Sequence, residues 1–259
     1  MFNFLIAFIP RAIVQGIPLL FGCTGEILTE KSGNLNLGIP GVMYVGGISG
    51  VIGAFLYENS VADPSQMNGA LAILIPLICC LLGAFLMGLL YCFLTVTLRA
   101  NQNVTGLAMT TFGVGFGNFF GGSLIKLVES DVPSIALTAT SSYFSKTLPF
   151  AGSLGWVGKV FFSYGFLAYV AVFIAFASSY VLNRTRVGLH LRAVGESPTT
   201  ADAAGIDVGK IRFTAVMISG ALSGLAGMCF AYSISANYSS AIYVGYGYLS
   251  IAALIFGNW

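Results

Sequence analysis

Long apolar runs follow one another along the chain and are separated by shorter polar segments. The runs cover about residues 4–28, 39–57, 70–98, 104–125, 161–182, 213–236 and 247–257. A helix that crosses the roughly 30 Å hydrocarbon core of a bilayer needs about 20 apolar residues, and most runs are near that length. None shows the alternation of a membrane barrel strand. The pattern predicts an all-α polytopic membrane protein with about seven transmembrane or re-entrant helices.

Two runs depart from the simple pattern. The run 70–98 is longer than one span needs, so we expect either a tilted helix or a break near Pro76. The last run stops with the chain at Trp259, which leads us to expect that the natural polypeptide continues into further spans.

The segment 183–212 is the most polar stretch between two long apolar runs. It contains the basic residues Arg184, Arg186, His190, Arg192, Lys210 and Arg212 and the acidic residues Glu196, Asp202 and Asp207. Such a concentration of charge favours exposure to water at a membrane surface. We therefore expect this segment to offer a contact to a soluble partner.

A short helix is predicted inside this polar segment. Ser197 followed by Pro198 is typical of a helix start, with serine as N-cap and proline at the first helical position. Gly205 is typical of the residue that follows a helix end. A helix of barely two turns is marginal alone, so we favour a helix that docks on a partner, although an ordinary capped connector fits the same signals.

The basic residues also predict the orientation in the membrane. If 183–212 is cytoplasmic, counting back through the runs puts the loops 28–38 and 99–103 on the same side. That side then holds seven lysines and arginines, against four on the other. The positive-inside rule therefore predicts an external N-terminus and a long external loop, 126–160.

Composition supports a membrane protein and narrows the chemistry. Hydrophobic residues make up 57% of the chain and charged residues 8%, whereas soluble domains have about 25% charged residues. The net charge of +2 does not suggest nucleic-acid binding. The five cysteines form no CxxC pair and the chain has one histidine, so we expect inert thiols, no metal and no cofactor in this chain.

The segment 25–41, GEILTEKSGNLNLGIPG, interrupts the first two runs with polar residues. Irregular backbone at membrane depth is tolerated only where it faces protein or a wet cavity. We therefore consider Asn34, Asn36 and Gly41 as candidates for lining or gating a pathway, while a plain loop is the alternative. Glu26 lies near the apolar core and needs a partner; the nearest cation in the sequence is Lys31.

Two further polar sets are candidates for a pathway. Thr110, Thr111 and Asn118 form a stripe on the fourth run, which either lines a path or bonds a neighbouring helix. Five tyrosines lie in 232–248, and Tyr246 is the candidate for an external vestibule; an aromatic belt at the membrane interface is the alternative.

Glycine pairs at helical spacing mark expected packing faces between spans. They are Gly46 with Gly50, Gly117 with Gly121, and Gly220 with Gly224.

Two blocks of this sequence resemble a known family. AVGESPTTADAAGIDVGKIR followed by ISGALSGLAG looks like the cytoplasmic coupling segment and next helix of bacterial ABC importer permeases. The resemblance is to the branch of these permeases that serves ribose, other simple sugars, nucleosides and branched-chain amino acids. GEILTEKSGNLNLGIPGVM resembles the family's second block, and its sequence is most similar to that of nucleoside-type permeases. The residues that match the two blocks are Ala193, Val194, Gly195, Pro198, Ala201, Ala204, Gly205, Ile206 and Val208, and Glu30, Lys31, Gly33, Asn36, Gly38, Gly41 and Met43.

The resemblance implies a role for each part of the chain. Residues 1–259 would form a single transmembrane permease domain with no catalytic residue, importing nucleosides, purine nucleosides above all, or else ribose-like sugars or branched-chain amino acids. Contact with the ATPase would fall on Glu196, Ser197, Pro198, Ala201, Asp202, Ala204, Gly205 and Ile206. Two positions depart from the family pattern: Pro40 stands where glutamate is common, and Asp202 stands where a basic or other polar residue is usual.

The resemblance also implies the surroundings of the chain. These are the bacterial cytoplasmic (inner) membrane, a cytoplasmic ABC ATPase with two fused ATPase units that holds ATP and Mg, a paralogous second permease, and an external substrate-binding lipoprotein of the basic membrane protein family. Two other classes were weighed. A membrane-embedded enzyme would need clustered acidic, histidine or serine residues, and an ion-coupled secondary transporter would need intramembrane ionisable groups and repeats; apart from Glu26 the sequence offers neither.

Overall fold

The computed structural model describes residues 2–61, 67–127, 138–147, 155–235 and 240–257, and every regular element in these ranges is helical. The long helices are α1 (Phe2–Lys31), α2 (Ile39–Ser60), α3 (Gly69–Cys92), α4 (Gln102–Leu127), α7 (Phe166–Arg184), α10 (Val208–Cys229) and α11 (Ser240–Gly257). The short helices are α5 (Thr138–Phe144), α6 (Gly155–Phe161), α8 (Arg186–Glu196) and α9 (Pro198–Ala203). Wider π-helical turns, Phe93–Thr97 and Phe230–Ser235, extend α3 and α10.

The predicted all-α membrane architecture is confirmed. Each of the seven predicted apolar runs overlaps one of the seven long helices. Within the described ranges, five stretches are long and apolar enough to cross a membrane: Phe8–Lys31, Ile39–Ser60, Gly69–Thr97, Phe166–Arg184 and Val208–Tyr232. A shorter apolar helix covers Gly245–Gly257. The helix α4 is as long as these but does not reach the same hydropathy.

The break considered near Pro76 is wrong. The helix α3 runs without interruption through Pro76, and its irregular turn lies at the other end, at Phe93–Thr97. Proline is tolerated inside a membrane helix where neighbouring helices compensate for the lost backbone bond. Here Pro76 is buried, and a Cβ atom on Gly50 of α2 would already lie 3.4 Å from its carbonyl oxygen.

The helix α2 forms the centre of the bundle, because it packs against α3, α4, α10 and α11. Glycines allow these close approaches, as predicted from their spacing. A Cβ atom on Gly46 would lie 2.6 Å from the Cα of Gly224, and one on Gly117 would lie 2.1 Å from the ring of Tyr44. The predicted packing role of these glycines is thus confirmed at the α2–α10 and α2–α4 contacts.

The two ends of the bundle are distinct. One end of the bundle gathers the segment after α1, the segment before α4 and the helices α8 and α9. The segment after α1 is bonded there to two other elements: Arg212 Nε of α10 donates to Ser32 O at 3.2 Å, and Gln102 Nε2, at the start of α4, donates to Asn34 Oδ1 at 2.8 Å. This agrees with the prediction that the loops 28–38, 99–103 and 183–212 share one side.

At the opposite end, the main-chain N–H of Thr140 in α5 donates to Glu58 Oε1 of α2 at 2.7 Å. The predicted external loop 126–160 is described there only in part, because residues 128–137 and 148–154 lie outside the described ranges. The compartment that each end faces stays a prediction.

Candidate coupling surface and pathway break

The helix α9 begins and ends where the sequence predicts. Ser197 Oγ accepts a hydrogen bond from the main-chain N–H of Thr200 at 3.4 Å, and Pro198 is the first helical residue. At the other end Gly205 has φ +82°, a conformation that glycine adopts without strain. Its N–H donates to Asp202 O at 2.9 Å, and the N–H of Ile206 donates to Ala201 O at 3.0 Å, which is a Schellman end.

The helix α9 is held by one buried side and presents the rest of its surface. Ala201 is only 3% exposed. The exposed residues are Thr199, Thr200, Asp202, Ala203, Ala204 and Gly205, while Ser197, Pro198 and Ile206 are half-buried and Glu196 at the end of α8 is exposed. A six-residue helix is not stable by itself, so its contact with the bundle and its two capped ends maintain this shape.

The helix α8 was not predicted from the sequence. Thr185 caps it, with Oγ1 accepting from the N–H of Gly188 at 3.3 Å. Its buried face consists of Gly188, Leu191 and Val194. Because these positions repeat every three residues, the spacing is a usable signal, although charged residues are interspersed in the stretch. A Cβ atom on Gly195 would lie 2.3 Å from the carbonyl oxygen of Lys31, so α8 rests directly on the end of α1.

The start of α10 is fixed by an acidic cap. Asp207 Oδ1 accepts from the N–H of Lys210 at 3.0 Å, and Oδ2 forms an ion pair with Lys210 Nζ at 2.9 Å. The hydrogen bonds from Lys210 lower the pKa of the exposed Asp207 carboxyl below its ordinary value. The carboxylate therefore stays ionised at the positive end of α10, which is a stabilising position.

A crevice of about 810 Å³ lies beside α9 at this end of the bundle. Its lining includes Arg99, Gln102, Pro198, Asp202 and Arg212. One wall is thus the connection between α3 and α4, and the other is α9 with the start of α10. The candidate coupling residues and the segment before α4 border the same open space.

The backbone between α1 and α2 is irregular, and its residues are buried or half-buried in the protein. The chain leaves α1 through Gly33, with φ +80°. The N–H of Gly33 donates to Glu30 O at 2.9 Å, and that of Asn34 donates to Thr29 O at 3.2 Å, a second Schellman end.

Side-chain oxygens accept hydrogen bonds from the main-chain N–H groups of this irregular stretch, and two of them come from α1 and α4. The N–H of Leu35 donates to Gln102 Oε1 at 2.9 Å, and the N–H of Asn36 donates to Glu26 Oε1 at 2.8 Å. The N–H of Gly38 donates to Asn36 Oδ1 at 2.8 Å.

Side-chain hydroxyls from α3 and α4 donate hydrogen bonds to the main-chain carbonyl groups of the same stretch. Tyr91 OH donates to Leu35 O at 2.7 Å, and Thr110 Oγ1 donates to Leu37 O at 2.9 Å. Three helices therefore hold the stretch in place, as irregular backbone at membrane depth requires.

The partner expected for Glu26 is wrong. Glu26 is fully buried and accepts from the main-chain N–H of Asn36, whereas Lys31 lies in a groove on another side of α1. Residues five positions apart on an α-helix lie on different faces. Lys31, at the end of α1, therefore does not reach the core side where Glu26 lies. The second oxygen, Oε2, has no hydrogen-bond partner among the described residues.

The pathway candidates in the segment 25–41 are packed inside the protein. Asn34 and Asn36 are each 2% exposed. Asn34 Oδ1 accepts from Gln102 Nε2, and Asn36 bonds its own turn. A Cβ atom on Gly41 would lie 2.4 Å from Met109 O, so Gly41 lets α4 approach α2. These residues shape the break rather than face an open cavity.

The candidates on α4 divide between two faces. Thr110 is buried and bonds Leu37 O, while Asn118 Oδ1 accepts from Tyr44 OH of α2 at 2.6 Å. These two residues therefore hydrogen-bond a neighbouring element, as one of the two alternatives expected. Thr111 and Asn118 are nevertheless exposed on the outer face of α4. The Thr111 hydroxyl donates only to Leu107 O of its own helix, at 3.1 Å.

Tyr246 lies on α11, where its hydroxyl donates to Gln15 of α1. Its ring is 4.6 Å from that of Phe230. The side chains of Tyr238 and Tyr243, which the vestibule hypothesis also used, lie outside the described residues.

The chain is similar to known transport proteins over almost its whole length. A family model described as branched-chain amino acid transport system, permease component, matches residues 8–259. The guanosine ABC transporter permease protein NupQ of Bacillus subtilis is 30% identical over 252 residues, which are 97% of this chain and 75% of that protein. The nucleoside ABC transporter permease protein NupC of Lactococcus lactis is 32% identical over 261 residues, which are 99% of this chain and 77% of that protein.

Other relatives are less similar. A protein of Haloferax volcanii, provisionally named as a glucose ABC transporter permease, is 29% identical over 241 residues, 93% of this chain and 67% of that protein. A second nucleoside permease of the same Lactococcus lactis strain, NupB, is 22% identical over 251 residues, 93% of this chain and 64% of that protein. No solved structure gives a significant match.

Proposed function

Because the chain belongs to the branched-chain amino acid transport system permease component family, we propose that it is the membrane subunit of an ATP-driven importer for nucleosides, purine nucleosides foremost. As a member of this family it is a multi-pass membrane protein of ABC-transporter type. The names of the two relatives from Bacillus subtilis and Lactococcus lactis support the nucleoside substrate. Energy would come from ATP hydrolysis in a partner, and this chain would convert it into access changes.

The observation that carries the coupling role is the geometry of α9. It is a short helix with both ends capped, buried at Ala201, half-buried at Pro198 and exposed at its other residues. An exposed, pre-shaped helix lowers the entropy cost of docking into a groove on a soluble partner. We assign the ATPase contact to this helix and its flanks, Glu196 to Ile206, within the cytoplasmic segment 183–212.

The helix α8 extends this assignment into the membrane domain. It connects α9 to the end of α1 through the close approach of Gly195 to Lys31, and α10 follows α9 directly. A push on α9 would therefore reach both α1 and α10. The irregular stretch between α1 and α2 begins at the end of α1, so movement there would be passed to α2 and α4.

We assign the translocation pathway to the outer face of α4. Thr111 and Asn118 are exposed on it, and their hydroxyl and amide groups could contact a polar solute. Asn34, Asn36, Gly41 and Thr110 would support this face from behind. Tyr246 on α11 would contribute at the external end.

The partners follow from the same assignment. A cytoplasmic ATPase with two fused units would hold ATP and Mg²⁺, and an external lipoprotein would deliver the substrate. A paralogous permease would complete the pore as a heterodimer. The presence of two nucleoside permeases, NupB and NupC, in one Lactococcus lactis strain supports such a pair. The bacterial cytoplasmic membrane is the corresponding location.

The coupling assignment is tested by valine at Gly205. The φ of +82° is strongly disfavoured for a β-branched residue, yet a Cβ atom there would meet nothing within 4 Å, so the change disturbs the end of α9 without a clash. ATP-driven nucleoside uptake by the reconstituted importer should be lost, while delivery by the binding protein stays intact. Gly209→Ala, an exposed glycine with ordinary neighbours, is the control. Normal uptake by Gly205→Val would reject the coupling assignment.

Sugar transport is the second candidate, because of the relative provisionally named for glucose. Competition experiments on the assembled importer separate the two. Guanosine and adenosine should block uptake of a labelled purine nucleoside, whereas glucose, ribose and leucine should not. Efficient uptake of glucose or ribose would replace the nucleoside proposal and leave the importer class unchanged.

A further inference from the structure

A groove at the coupling end of the bundle combines positive charge with an apolar wall. It lies between α1, α7 and α8 and has a volume of about 400 Å³. Lys31 and Arg192 line its charged part, Ser178 and Asn183 add polar groups, and Ile27 and Leu182 belong to its apolar part. The groove is thus amphipathic along its length.

Neither cation in this groove forms an ion pair with a described residue. Among the described residues the one ion pair within 4.0 Å joins Lys210 to Asp207, so neither Lys31 nor Arg192 has a carboxylate at that distance. The Nε of Arg192 is buried and makes no hydrogen bond to a described residue. Glu30 is the acidic neighbour of Lys31 on α1, but it forms no ion pair with it. A buried guanidinium nitrogen without an acceptor is costly, which favours an anionic occupant.

The groove also opens beside a surface that is suited to lipid. The helix α7 exposes Phe173 and Phe176, at 73% and 74%, along the same span whose other side forms the groove wall. An adjacent, mostly apolar groove of about 360 Å³ shares Ser178 and Leu182 with the first. Both grooves include residues near the end of the span Phe166–Arg184, and the end of a membrane span is where lipid headgroups would be met.

We propose that an anionic phospholipid binds in the charged groove. Its phosphate would lie between Lys31 and Arg192, and an acyl chain would follow the apolar wall of α1 and α7. Basic pockets between membrane helices on the cytoplasmic side recognise such headgroups by charge. This inference rests on the proposed function, because the coupling assignment makes this end of the bundle cytoplasmic.

The bound lipid would stabilise the support of α9. Lys31 ends α1, and Arg192 lies on α8, which rests against α1 at Gly195. A phosphate held by both cations would link these two helices just before α9 begins. Anionic lipid would therefore strengthen the path from the ATPase contact to the membrane domain, and ATP-driven uptake would fall in membranes that lack it.

Lipid retention by the purified importer complex tests the proposal directly. The complex is exchanged into detergent with phosphatidylglycerol or phosphatidylcholine, and the bound lipid is measured by native mass spectrometry without ATP. The unmodified complex should prefer phosphatidylglycerol. Lys31→Gln and Arg192→Gln should each lower this preference about fivefold, as expected for one basic residue near an anionic surface. Arg186→Gln, an exposed arginine of the same helix outside the groove, should leave it unchanged.

Four outcomes would overturn the proposal. The first is an unmodified complex without preference for either lipid, as when another protein segment fills the groove. The second is an unchanged preference in the Lys31→Gln, Arg192→Gln double variant, and the third is an equal loss of preference in Arg186→Gln. The fourth is displacement of the lipid by inorganic phosphate. If Arg192→Gln fails to assemble, Lys31→Gln alone decides. Because no ATP turnover is involved, failure here leaves the Gly205 uptake test untouched, and failure of that test leaves lipid retention measurable.

Discussion

The buried carboxyl of Glu26 makes the sharpest prediction about the irregular stretch between α1 and α2. Its Oε1 accepts from the main-chain N–H of Asn36, and its Oε2 makes no hydrogen bond to a described residue. A glutamine has the same shape, keeps one carbonyl oxygen for Asn36 and carries no charge. An alanine removes the acceptor. We therefore expect Glu26→Gln to be tolerated and Glu26→Ala to destabilise the protein.

The expected size follows from the geometry. Glu26 and Asn36 are 0% and 2% exposed, so water cannot replace the lost acceptor. A buried donor left unpaired costs about 1–3 kcal/mol, and the cavity left by the truncated side chain adds to that. In a chain of this length about 1–3 kcal/mol lowers the Tm by roughly 2–12 °C. For Glu26→Gln the hydrogen bond is retained, and we expect a Tm within about 2 °C of the unmodified protein.

The measurement is thermal unfolding in detergent with a thiol-reactive dye. Cys80 and Cys92 are free and buried thiols, so the dye reports the opening of the bundle. The predicted order of Tm places the unmodified protein and Glu26→Gln together, above Glu26→Ala. Equal Tm values for all three would refute the reasoning, since the bond to Asn36 would then contribute nothing. A loss in Glu26→Gln as large as in Glu26→Ala would show that the negative charge itself is required.

Two further changes test other contacts of the same region. Gly195→Ala should push α8 away from α1, because its Cβ would lie 2.3 Å from a carbonyl oxygen. Overpacking of this kind costs about 1–3 kcal/mol, so we expect the rate of uptake to fall. The control variant Gly209→Ala should take up substrate at the rate of the unmodified importer. Gln102→Ala should lower the Tm by roughly 2–12 °C, because the half-buried main-chain N–H of Leu35 loses its acceptor. Asn103→Ala, on the exposed side of α4, should not lower it. Similar Tm values for the last two variants would count against the role of Gln102.

The parts of this structure that sequence reasoning predicted have local causes. The spans follow from runs of apolar residues, and α9 begins and ends at Ser197 and Gly205 because both ends depend on residues within a few positions. The packing of Gly46 against Gly224 follows from small residues at helical spacing. Each of these signals can be read in a short window.

The missed features depend on contacts between distant residues. Gln102 completes the stretch after α1 from 67 positions away, and no local pattern marks it. Glu26 was paired with a nearby cation, whereas its acceptor role depends on a main-chain N–H that only the folded turn presents. The helix α8 is hard to recognise because its buried face has only three positions, one of them a glycine, and three charged residues lie in the same eleven residues. Tertiary packing, which the sequence shows only indirectly, decided all three.

The central claim is that α9 contacts an ATPase. A photo-crosslinking amino acid at Ala203, exposed on α9, tests it most directly in the assembled importer, with Ser60 at the opposite end of the bundle as the control position. We predict a crosslink to the ATPase from position 203 and none from position 60. Crosslinking to the ATPase from position 60 instead, or a co-purified ATPase that position 203 never reaches, would contradict the account.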